Sequence, residues 1–170
     1  MIEEILNLQT NLGVQLSPEF TMLEPDDETI NYWFDGDLEE AKNFKAFASN
    51  DSSGLFCFWN YQDVKNPPIV FLAEECVGSK VIANSIEEFF SLVSFGSEDY
   101  QLDIDYVKDD EEWEEIEDPT KEHLEFREWL KSNFNVSPAD SPLKIIKAAL
   151  ENHPDLFKYI ESWQEKKYGA

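Results

Sequence analysis

Between Leu55 and Ala83 the chain offers three short apolar runs, each too brief for a helix and each set off by residues that break regular structure. Leu55 to Tyr61 is rich in aromatic side chains, which favour a pleated strand, and Asn50-Asp51-Ser52-Ser53-Gly54 ahead of it has turn chemistry. Lys65-Asn66-Pro67-Pro68 breaks the chain, Ile69 to Leu72 follows with no polar residue, and Val81-Ile82-Ala83 makes a third strand. A strand that is apolar at every position predicts cover on both faces of its sheet. Ser85 then opens a helix, with Glu88 three residues on at the spacing where each side chain can accept from the other's backbone N–H. Ile86, Phe89, Phe90 and Val93 share one face of that helix, and Gly96 stands at its end.

The flanks read less sharply. Ile2, Ile5, Leu6 and Leu12 predict an amphipathic helix over 2–12, stopped by Gly13. Residues 17–29 read as loop, Ile30 to Phe34 as a strand, and Asp35-Gly36-Asp37 as the turn after it. From Tyr100 the period becomes two: Tyr100, Leu102, Ile104 and Tyr106 alternate with polar residues, predicting a strand with Asp103 and Asp105 on its wet side. Asp109 to Glu117 is an acidic linker interrupted by Trp113 and Ile116. Asp118-Pro119 has the form of a cap and first turn for a helix to about Phe134, with Phe126, Trp129, Leu130 and Phe134 inward. Ser141-Pro142 opens another, with Leu143, Ile146 and Leu150 on one side, and Pro154 ends it. Leu156, Phe157, Ile160 and Trp163 mark a last helix. Helix, then strands, then helices make an α+β fold. At 170 residues one domain is expected, with a core over about 30–107, an acidic linker over about 108–118 and C-terminal helices over about 119–166.

Charge limits the function. Against 37 Asp and Glu stand 13 Lys and Arg, a net of −24, and 15 of those acids with only 3 bases lie within residues 98–128. The last 42 residues are close to neutral. Clustered Lys and Arg supply affinity for phosphate, so direct binding of nucleic acid or of anionic membranes is disfavoured. A composition 42% hydrophobic and 14% aromatic excludes disorder for the chain as a whole. Cys57 and Cys76 form no disulfide framework, Met1-Ile2-Glu3-Glu4 lacks the basic start of a secretory signal, and no run approaches the ~20 apolar residues of a membrane helix. The expectation is a reduced, cytoplasmic protein.

Few residues propose chemistry. Glu74-Glu75 and Glu87-Glu88 are adjacent carboxylates, but neighbours on a strand face opposite ways and neighbours on a helix diverge by about 100°. A hydrolase working through Glu74 or Glu75 is thus the weaker alternative. Asp103-x-Asp105 followed by Asp109-Asp110 hints at calcium, yet Val107 stands where a ligand is needed and no Gly occurs between Gly96 and Gly169. His123 and His153 belong to no metal or nucleophile motif, Cys57 reads as a small buried hydrophobe, and the six glycines form no phosphate loop. No catalytic, metal or cofactor residue is assigned.

One pattern is more specific. Phe47-Ala48, the small polar turn ending in Gly54, the aromatic strand ending in Trp59, Ile69 to Leu72, and Val81-Ile82-Ala83 leading into a helix with Phe89 resemble, in that order, the core of the SUKH superfamily. That group includes immunity proteins of bacterial polymorphic toxin systems and fungal cell-wall regulators. The resemblance covers about residues 44–95. Members often carry an acid followed by glycine after the second strand, where this chain has Glu75-Cys76. The expected architecture is a mostly antiparallel central sheet flanked by helices, with a helical C-terminal extension. The implied role is binding: a monomer or small homo-oligomer that neutralises a cognate protein toxin, a nuclease or deaminase of basic character, without enzymatic activity or cofactor. A non-inhibitory regulatory scaffold is the alternative. Asp103, Asp105, Asp109, Asp110, Glu111, Glu112, Trp113, Glu114 and Glu115, together with Glu75, are the candidate contact residues.

Overall fold

A computed structural model describes residues 1–24, 28–60, 65–73, 78–96 and 118–169. Helix α1 (Ile2–Leu12) leads into a two-residue strand β1 (Thr21–Met22) and two short helices, α2 (Glu28–Trp33) and α3 (Leu38–Ala41). Strands β2 (Phe44–Ser49), β3 (Leu55–Trp59), β4 (Ile69–Leu72) and β5 (Lys80–Ala83) follow, then α4 (Ile86–Phe95), α5 (Lys121–Phe134), α6 (Pro142–Asn152) and α7 (Leu156–Tyr168). The strands form one antiparallel sheet in the order β1-β2-β3-β4-β5, so each pairs with its neighbour in sequence. The fold is α+β.

Both faces of the sheet are buried, as the unbroken apolar run of β4 predicts. Ile69 and Phe71 enter one cluster and Val70 and Leu72 the other; β3 likewise sends Phe56 one way and Leu55, Cys57 and Trp59 the other. The first cluster lies against α1, α4, α5 and α6 and is centred on Phe89. That ring's centroid stands 5.2 Å from Phe56, 5.2 Å from Phe90, 5.3 Å from Phe47 and 5.9 Å from Phe20. The second lies under α2, α3 and α7, where Trp163 stacks on Trp33 at 5.9 Å and meets Phe34 edge-on at 5.0 Å.

Several expectations need correction. Residues 30–34 form helix α2 with the turn after it, not a strand: Ile30 and Phe34, four apart, are buried together, while Tyr32 is 88% exposed. The aromatic content that suggests a strand there is in fact spread around a helical turn. Within the expected loop, Thr21 and Met22 pair with Ser49 and Ala48 as β1. Helix α5 begins at Lys121 and is capped by Thr120, whose hydroxyl accepts from the His123 N–H at 3.1 Å; Asp118 and Pro119 lie ahead of it. Phe157 faces solvent, since Leu156, Ile160 and Trp163 already supply the inward stripe of α7. The Ser85 cap on α4 holds, its hydroxyl accepting from Glu88 N–H at 3.2 Å, but the return bond differs. Glu88 accepts instead from the backbone and side-chain N–H groups of Asn84, at 2.8 and 3.1 Å. Gly96 ends α4 at φ 83°, a left-handed conformation that glycine adopts without strain. The expected strand over 100–106 and the acidic linker lie outside the described residues.

Candidate partner-binding surface

Every sequence-predicted contact residue lies outside the described structure: Glu75 in the stretch 74–77, and Asp103, Asp105, Asp109, Asp110, Glu111, Glu112, Trp113, Glu114 and Glu115 in 97–117. The described part presents a different surface, which the sequence analysis missed. It lies where α1 meets the sheet.

Helix α1 is anchored by Ile5, fully buried, and by Gln9, whose side-chain amide clamps Met22 of β1. The Gln9 Nε2 donates to Met22 O at 3.2 Å, and its Oε1 accepts from Met22 N–H at 2.8 Å. The clamp ties α1 to β1, and the first turns of the helix lie beside β2 and β3. The result is a groove of about 470 Å³ floored by Phe47 and Phe58 and walled by Ile2, Leu6 and Leu23. Glu3 and Glu24 are exposed on its rim, with Lys45 and Asn7. An apolar floor with a charged rim is the usual build of a site that takes an apolar anchor from a partner.

The groove borders the β1 edge of the sheet. Among the described residues β1 pairs with β2 at Ser49 and Ala48, and Leu23 N–H adds one further bond to Phe47 O at 2.9 Å. On the other side of that edge a second depression of about 470 Å³ runs past Ile30, Leu38, Ala41 and Phe44. Lys45 lines both.

A third depression, of about 360 Å³, lies beside α7 and gathers Glu40, Asp155, Lys158, Tyr159 and Lys166. Tyr159 donates its phenol proton to Glu40 and accepts from Asn43 Nδ2 at 2.8 Å; Lys166 Nζ stands 3.8 Å from Glu40. Burial, and then the bond to Glu40, raises the Tyr159 pKa above its ordinary value, so the phenol keeps its proton and is no base or nucleophile. Lys167 adds a bond to Asp35 O at 3.0 Å. The group is a tether that holds α7 to residues 35–43.

The remaining reactive side chains are likewise committed to structure. Burial pushes the Cys57 thiol up, away from a reactive thiolate. His123 is fully buried, with Nδ1 2.9 Å from Leu16 O and Nε2 accepting from Arg127 Nε at 3.0 Å. That pairing selects the neutral tautomer protonated at Nδ1. Arg127 also donates to Ser94 O at 2.5 Å and Phe95 O at 2.8 Å, so the pair closes the C-terminal end of α4 against α5. Burial lowers the His153 pKa. Among the described residues no three His, Cys, Asp or Glu side chains group as metal ligands, and no helix is long and apolar enough to cross a membrane. No family model, curated protein or solved structure matches the chain.

Proposed function

We propose that this chain is a protein-binding module of the SUKH type, an immunity protein that neutralises a basic protein toxin by direct contact. The observation that carries the reading is the charge distribution: a net of −24, half of it within residues 98–128. An enzyme that holds nucleic acid needs a basic surface, and such a surface is complemented by this one. Opposed potentials speed encounter, while beyond about 8 Å at physiological salt they are screened and close contacts must supply residence time. The pattern that resembles the superfamily lends support, because its pieces fall in sequence on β2, the turn at 50–54, β3, β4, β5 and α4.

The test is binding of the full chain to the product of the adjacent gene. Replacing Asp and Glu across 103–118 by Asn and Gln lowers the association rate at least about tenfold and flattens its salt dependence. Unchanged affinity refutes the assignment of that stretch as the contact surface. Binding without inhibition of the partner's activity points to a regulatory scaffold instead.

A further inference from the structure

We propose that helix α1 is a displaceable cover: it leaves the sheet and unwinds while the rest of the chain stays folded, baring the outer edge of β1 that Gln9 otherwise occupies. This device is independent of the binding role proposed above.

The sheet register shows what Gln9 does. Leu23 N–H donates to Phe47 O at 2.9 Å, which places Leu23 opposite Phe47 in a bonded position and makes Met22 and Ala48 a non-bonded pair. Met22 therefore directs its N–H and C=O away from β2. Gln9 takes both, as the backbone of a further strand would. Outward peptide groups on an edge strand are a template for pairing with another chain. The Gln9 amide fills that place from within the same chain.

The attachment of α1 is slight. Of its eleven residues Ile5 alone is fully buried, while Ile2, Leu6, Leu8 and Leu12 are half-buried against the first cluster. Among the described residues the Gln9 fork supplies the only hydrogen bonds from α1 to another element. The other long helices are held more firmly. Helix α4 buries five residues and α6 four. Helix α5 buries three and is joined through Arg127 to Ser94 O and Phe95 O; α7 buries three and has the Tyr159 tether. The chain leaves α1 through Gly13, at φ 67° and with nothing within 4 Å of where a Cβ would stand, so the exit is unbraced.

A lone helix shorter than about 12–15 residues is marginal in water, so α1 unwinds once detached and its own amides report the opening. The Met22 amide reports it as well, because its acceptor sits on α1.

The test is native-state hydrogen exchange of the full chain in urea concentrations below the unfolding transition. Leu8, bonded within α1, and Met22 are compared with Val70, fully buried in β4. A displaceable cover predicts that Leu8 and Met22 exchange together, at least about tenfold faster than Val70. Their dependence on urea is under about half that of Val70, since the slope scales with the surface exposed. Gln9→Met keeps the length and apolar stem of the side chain but loses both bonds, and it speeds exchange at Leu8 at least about threefold. A smaller change at Leu8 means that the fork does not hold the helix, and it overturns the proposal. Leu8 and Met22 sharing the rate and slope of Val70, or Met22 exchanging apart from Leu8, overturns it too.

Discussion

Tyr159→Phe removes one oxygen atom and tests whether the tether between α7 and residues 35–43 stabilises the fold. The lost hydroxyl donates to Glu40 and accepts from Asn43 Nδ2 at 2.8 Å. A hydrogen bond to a charged group contributes about 1.5–3 kcal/mol and a neutral one about 0.5–1.5 kcal/mol. Glu40 keeps some access to water, at 21% side-chain exposure, and has Lys166 at 3.8 Å, so it is not stranded by the change. Tyr159 itself is only half-buried, which places the expected loss near the lower sum, about 2 kcal/mol. For a chain of this size that lowers Tm by about 4–8 °C. Urea denaturation of wild type, Tyr159→Phe, Glu40→Gln and the double variant gives a coupling energy that isolates the pair. The pH dependence supplies an independent check. Because the folded state holds the phenol proton more tightly than the unfolded state, wild type loses stability as pH rises above 10, the ordinary tyrosine value, and the gap to Tyr159→Phe narrows there. A loss below about 0.5 kcal/mol, with no coupling to Glu40, means the geometry has no energetic weight.

Two packing predictions bracket the core. Phe89→Ala, at the centre of four aromatic neighbours, costs about 3–5 kcal/mol, whereas Phe157→Ala, at 62% exposure, stays within about 0.5 kcal/mol; equal effects in thermal melts contradict the assignment of the α4 and α7 faces. At Gly54 an added Cβ would collide with the buried Phe71 ring and crowd Asn50 Oδ1 at 3.0 Å. Gly54→Ala therefore costs about 1–3 kcal/mol in denaturant, and a neutral result shows that the turn opens freely.

What was legible in the sequence depended on whether local and tertiary signals agreed. In β3, β4, β5 and α4 they did: the apolar runs are bounded by turn or cap residues, and burial on both faces requires continuous hydrophobicity. Ile30 to Phe34 shows the opposite case. An aromatic-rich five-residue run fits a strand by composition, and only the depth of Ile30 and Phe34, set by Trp163 and the rest of the second cluster, decides for a helix. β2 was hard to read as a strand from Phe44-Lys45-Ala46-Phe47-Ala48-Ser49, because its register shift between Ala46 and Ala48 breaks the two-residue period. The groove beneath α1 had no sequence signal at all. Its walls are ordinary apolar residues, and the Gln9 clamp on Met22 that ties α1 to β1 spans thirteen residues, a pairing no spacing rule anticipates.

The same accounting narrows where a partner can act. Among the described residues the strands spend nearly all their apolar side chains on the two clusters that close the faces of the sheet, so those faces are not available for binding without unfolding α4 or α7. The perimeter remains, and there the groove between α1 and the sheet opens among the described residues. A chain of net −24 also stores self-repulsion in its compact form, a cost that the well-packed aromatic clusters on both faces of the sheet offset.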